Sequence, residues 1–124
     1  MNANELRIGN YFWESYGGYK IIAGINHHND LPMTVDAHAI GRKICGRYDL
    51  DAMQPILLTE DILLKCGFEY DFISYNLHFG IDWHNGVLRF SQGKGKTIFL
   101  PCTHLHQLQN LYFALTQKEL TIKL

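Results

Sequence analysis

Residues 58–68 read LTEDILLKCGF, and the reading of this stretch divides the chain. Thr59 has the side chain of a helix N-cap, Glu60 and Asp61 place negative charge in the first turn, and Lys65 places positive charge in the last. Gly67 stands where a left-handed residue ends a helix, so that Phe68 folds back onto Leu63 in a Schellman ending. The pattern predicts a helix of about two turns. The residues before it read as β-structure, and those after it read as strands closed by a second helix.

Upstream, LRIGNYFW, ESYGG and YKIIAGI (residues 6–25) form a predicted hairpin around Gly17-Gly18. NHHNDLPM (26–33) reads as a polar loop, TVDAHAIGRKIC (34–45) as one or two short strands, and GRYDLDAMQP (46–55) as the connection to Pro55. Short strands at this spacing suggest a curled antiparallel sheet, an SH3-like partial barrel. Downstream, FEYDFISYNLHFGIDW (68–83), VLRFSQ (87–92) and TIFLP (97–101) are strand-like. Asn85-Gly86 accepts the positive φ of a type I′ turn, so a meander of three or four strands is expected. CTHLHQLQNLYFALTQ (102–117) predicts a helix capped by Thr103, with Leu105, Leu108, Leu111, Tyr112 and Leu115 on one stripe packed on the meander. ELTIKL (119–124) alternates as a final strand does. The expected fold is α+β in a single domain, 1–124, with residues 1–56 mostly β and 57–124 running α-β-β-β-α.

Composition narrows the partners. The 124 residues carry 11 Lys and Arg against 12 Asp and Glu, a formal net charge of −1, which gives no general attraction to phosphate. Three cysteines, Cys45, Cys66 and Cys102, lie far apart with no C-x-x-C pair, as expected of reduced thiols. The stretch MNANELRIGN has no signal-peptide character, and no window approaches the roughly 20 apolar residues of a membrane span, so a cytoplasmic location is expected.

Several motifs invite chemistry and fail on context. SQGKGKT (91–97) satisfies only the last positions of G-x-x-x-x-G-K-[ST]; Phe90 stands where the first Gly belongs, and TIFLP after it is a strand where the motif needs a helix. The reading is a turn using Gly93 and Gly95, with Lys94 and Lys96 solvated and no nucleotide bound. Seven histidines suggest a metal, with His27-His28 or Cys102, His104 and His106 joined by His78 or His84 as donors. His104 and His106, two apart on a helix, diverge by about 200° and cannot chelate together. No cofactor or metal site is therefore assigned. No G-x-S-x-G occurs, and Cys45 and Cys66 read as small buried hydrophobes. Glu60-Asp61 is explained by the helix start, and Asp49 and Asp51 read as loop acids.

The departure from pattern is Phe113, which lies about 140° from the centre of the helix stripe, among His106, Asn110 and Gln117. Either a second layer of structure covers it, or these four residues are a binding face for a partner.

The blocks NELRIGNYF, PILLTEDILLKCGFE and HQLQNLYFALTQKELTIKL, which bracket the chain, resemble a family of short uncharacterised proteins of Bacteroidetes, often encoded among phage-derived and other mobile-element genes. Its members typically carry Pro in place of Leu57 or Leu58 and Gly in place of Gln117. The resemblance implies genomic context and no mechanism. The functional reading is a non-enzymatic accessory protein acting by protein–protein binding or self-association. Its first rival is a nucleic-acid module in which Tyr11, Phe12, Tyr16 and Tyr19 stack on bases while Lys20, Arg42, Lys43 and Arg47 meet phosphates. The second is a metal-dependent hydrolase.

Overall fold

The computed structural model describes residues 6–15, 17–28, 31–77, 80–91 and 95–124. The architecture is α+β, with two five-stranded antiparallel sheets, a short helix and a longer C-terminal helix. The chain falls into two compact units: residues 1–56 with 104–111, and residues 57–103 with 112–124.

In the first unit, β1 (Tyr11–Glu14), β2 (Gly18–His28), β3 (Leu31–Ala39), β4 (Gly46–Asp49) and β5 (Met53–Gln54) lie in the order β4-β3-β2-β1-β5. This is the curled half-barrel. Register slips on β2, between Ile22 and Gly24 and between Asn26 and His27, supply the bend that lets so small a sheet curl over its own core. That core is Phe12, Ile22, Val35, Ala37 and Met53.

Two expectations change here. The first strand begins at Tyr11 rather than Leu6, because Asn10 Oδ1 accepts the Arg7 N–H at 2.8 Å and closes a turn. Most of the expected loop NHHNDLPM is strand, since β2 extends to His28 and β3 starts at Leu31. Neighbouring strands satisfy these backbone groups despite their polar side chains.

Residues His104–Leu111 also belong to this unit. Leu105 N–H bonds to the Ile56 carbonyl at 2.8 Å. Buried Gln109 accepts the Tyr11 N–H at 2.8 Å and donates to the Gly9 carbonyl at 3.0 Å. Here a side-chain amide serves the backbone of β1 as a neighbouring strand would, an arrangement that an apolar stripe does not reveal.

In the second unit, α1 spans Glu60–Lys65. Thr59 accepts from Ile62 N–H, while Phe68 N–H bonds to the Leu63 carbonyl and Gly67 N–H to the Leu64 carbonyl, each at 3.1 Å. These are the two bonds of a Schellman ending, and Leu63 and Phe68 are both buried. The meander has five strands in sequential order: β6 (Glu69–Tyr70), β7 (Tyr75–Leu77), β8 (Ile81–His84), β9 (Val87–Ser91) and β10 (Thr97–Pro101). The last part of α2 (Leu105–Thr116) lies in this unit, with Tyr112 buried.

The tail forms no strand. Leu120 is buried and Lys123 N–H bonds to the Lys65 carbonyl at the end of α1, so the chain is held by a helix carbonyl and not by a sheet edge. No helix among the described residues is long and apolar enough to cross a membrane.

Two helix ends carry opposite backbone costs. Gly67 sits at φ 92°, and a Cβ there would meet nothing nearer than Leu77 Cδ1 at 3.6 Å. Gln117 sits at φ 62° with its N–H on the Phe113 carbonyl. Left-handed backbone costs a residue with a Cβ about 1–2 kcal/mol. Gly67→Ala should therefore lower stability by about 1–2 kcal/mol and Gln117→Gly raise it by about 0.5–1 kcal/mol in urea unfolding. Unchanged midpoints for both would contradict the assignment of these helix ends.

Candidate protein-binding site

The second sheet takes its phase from one turn. Asn85 and Gly86, at φ 47° and 84°, join β8 to β9 with only two residues between the His84–Val87 pair. A two-residue turn makes that pair hydrogen-bonded, and bonding then alternates along the ladder. The bond from Ser91 N–H to the Gly80 carbonyl at 3.0 Å lies on this alternation. Leu88 and Phe90 therefore direct their backbone groups toward β10, opposite Leu100 and Ile98. Cys102 N–H, on the Gly86 carbonyl at 2.8 Å, continues the series.

The same phase sorts side chains. Ile81 and Leu88 are buried on one face. On the other, Asn76, Asp82, Arg89 and Phe99 stand in one row across β7, β8, β9 and β10. Arg89 grips Asp82 with both arms: Nε donates to Oδ1 at 2.9 Å and Nη2 to Oδ2. Asp82 is only 7% exposed, and its carboxylate holds the Arg89 pKa above its ordinary value. The fork is fixed and its outer edge faces an open concavity of about 380 Å³, whose walls include Ile73, Val87, Phe99 and His84. Apolar walls with a few placed polar groups are the usual make-up of a binding concavity.

The loop between β6 and β7 overhangs this face. Asp71 Oδ1 accepts the N–H groups of Ile73 at 3.0 Å and Ser74 at 2.8 Å, an Asx turn. Between them Phe72 is forced to φ 73°, an outlier for an aromatic residue, and stands 92% exposed; Ile73 is 76% exposed. The ring of Tyr70 packs against Phe72 at 5.8 Å. Ile73 and Phe99, the latter 65% exposed, form an apolar display on the face of the concavity, whereas Phe72 packs on Tyr70, which by register shares the other face with Tyr75 and Trp83.

The residues singled out by sequence lie elsewhere. His106 is buried, with its ring stacked on Phe12 at 5.0 Å. Asn110 Oδ1 accepts from Arg7 Nε at 3.0 Å and Asn10 Nδ2 at 2.9 Å. Phe113 is half-buried and Gln117 is exposed. The four do not form one exposed face, because His106 and Asn110 are spent on the first unit.

The cations of the nucleic-acid reading also diverge. Lys20 lies over the Tyr48 ring at 5.8 Å and lines a concavity with Arg42, whereas Arg47 points to the other side of β4 and pairs with Asp36 at 3.1 Å. Phe12 is fully buried and Tyr16 lies outside the described residues.

Among the described residues no three His, Cys, Asp or Glu side chains gather as a metal would require. His78, Gly93 and Lys94 lie outside the described residues; Gly95, at φ 76°, and Lys96 are exposed. Cys45 is exposed, a correction to its expected burial, because it stands just ahead of β4 at the sheet edge and not under it. Cys66 and Cys102 are buried thiols whose pKa desolvation pushes up to about 12. They are poor nucleophiles. No protein-family model, curated protein or solved structure matches the chain.

The exposed aromatic depends on Asp71, whose hydrogen bonds from the Ser74 and Ile73 amides hold its carboxyl pKa below the ordinary value. A lowered carboxyl pKa means that the hold is present above the ordinary value and is lost as pH falls below it. Hydrogen exchange at the Ile73 and Ser74 amides should be slow at neutral pH and roughly tenfold faster in Asp71→Ala. Equal exchange rates in the two proteins would remove Asp71 as the support of the loop.

Proposed function

We propose that this chain is a non-enzymatic accessory protein that binds another protein chain through the exposed loop between β6 and β7 of its second sheet. The observation that carries the reading is Phe72: an aromatic side chain 92% exposed, on backbone of costly φ, fixed by a carboxylate beside it. Strain of this kind, which costs about 1–3 kcal/mol, persists where surrounding structure imposes it and function uses it. Burial of Phe72 and Ile73 in a partner would offset both the strain and the exposure, since aromatic anchors surrounded by polar groups dominate protein interfaces.

Charge supports the same reading over nucleic acid, because the net charge is −1 and Arg47 and Lys20 lie on opposite faces of the first sheet. The sequence resemblance suggests a setting in phage or mobile-element biology. The left-handed backbone at Gln117, where that family has Gly, is compatible with it.

Affinity capture from extracts of the source cells tests the proposal, with the wild-type chain and Phe72→Asp as baits. The substitution should change stability by no more than about 0.5 kcal/mol, as exposed positions do, yet lose a protein that the wild type retains after nuclease treatment. Identical capture by both baits, or material released entirely by nuclease, would contradict it.

A further inference from the structure

The two sheets have four edge strands: β4, β5, β6 and β10. Natural sheets protect such edges by shortness or charge, because an open row of N–H and C=O groups is a template for another strand. β5 and β6 have two residues each, and β4 carries Arg47 and Asp49. β10 differs: its five residues, TIFLP, carry no charge, and Thr97, Ile98, Phe99 and Pro101 are exposed.

The ladder phase sets what that edge offers. Ile98 and Leu100 bond inward to Phe90 and Leu88, so Thr97, Phe99 and Pro101 turn their backbone groups outward. Among the described residues no strand pairs with them. The outward donors are the N–H groups of Thr97 and Phe99, since proline has none. The outward acceptors are the carbonyls of all three residues.

From this edge we infer a partner, resting on the protein-binding reading above: a second copy of the chain, with β10 pairing antiparallel to its twin about a two-fold axis through Phe99. In that register Phe99 N–H and C=O bond to the C=O and N–H of the other Phe99. Thr97 stands opposite the other Pro101, whose carbonyl takes the Thr97 N–H. Every outward donor finds an acceptor, and the Thr97 carbonyls, which face the proline that has no N–H, stay open to water at the ends of the seam.

No charge is buried or opposed along the seam. The two Phe99 rings meet on the face that carries the concavity, so each chain's apolar display continues into the other's. Assembly closes at two, because pairing consumes the one long uncharged edge among the described strands.

Sedimentation and cysteine cross-linking test the pairing, in a Cys45→Ser background because Cys45 is the exposed native thiol. Wild type should reach a dimer as concentration rises, and Phe99→Pro, which removes the ring and an outward N–H but no inward ladder bond, should weaken dimerisation at least about tenfold. Phe99→Cys should form a homodimeric disulfide on oxidation. Thr97→Cys and Pro101→Cys should each fail alone and cross-link when mixed, because only 97 and 101 stand opposite each other.

The cross-links do not depend on the proline variant folding. A protein monomeric up to millimolar concentration, or a dimer in which Thr97→Cys cross-links to itself, would overturn the inference. A monomer whose Phe72-dependent capture persists would leave the binding reading standing, which separates the two failures.

Discussion

A two-residue turn at Asn85-Gly86 is the constraint on which the second sheet depends. With both residues at positive φ, the His84–Val87 pair has one bonding state, and that state propagates strand by strand. A one-residue slip of β9 against β8 would turn Arg89 toward the core and Leu88 toward water. Because buried charge without water is costly and exposed apolar surface forgoes its transfer energy, the phase is selected energetically at several positions at once. The same phase decides that Phe99, and not its neighbours, presents both a ring to the open face and an N–H to the open edge.

Around that frame the protein keeps local order where it exposes apolar groups. The Asp82–Arg89 fork fixes the floor of the concavity, and Asp71 fixes the loop above it. Neither device adds core. Both limit the freedom of residues near exposed side chains, and an ordered binding surface loses less entropy when a partner arrives. The first unit shows the contrary habit: Gln109, Asn110 and His106 are drawn inward to serve Gly9, Tyr11, Asn10 and Phe12.

What could be read in the sequence was local. Thr59, Lys65, Gly67 and Phe68 act within one helix, and Asn85-Gly86 within one turn, so composition at fixed spacing was enough to place them. The misreadings have long-range causes. NHHNDLPM is polar but lies largely in strands, because neighbouring backbone satisfies it. ELTIKL alternates as a strand should, yet its bond goes to the Lys65 carbonyl and no sheet edge receives it. His106 and Asn110 look like a polar helix face because their partners lie about a hundred residues away. The apolar display was hidden inside FEYDFISY, whose aromatic and β-branched residues mimic a strand. Asp71 with Ser74 three residues on was the available sign of an Asx turn, which breaks the strand and lifts Phe72 out of it.

Both the open face and the open edge depend on the outward and inward alternation of β10, and residue-resolved amide exchange as a function of protein concentration tests it most directly. The Ile98 and Leu100 amides should be protected at every concentration, while those of Thr97 and Phe99 exchange quickly in dilute solution and gain protection together as the second copy binds. Protection of Thr97 and Phe99 in dilute monomer, or rapid exchange at Ile98 and Leu100, would contradict both the phase of the sheet and the edge derived from it.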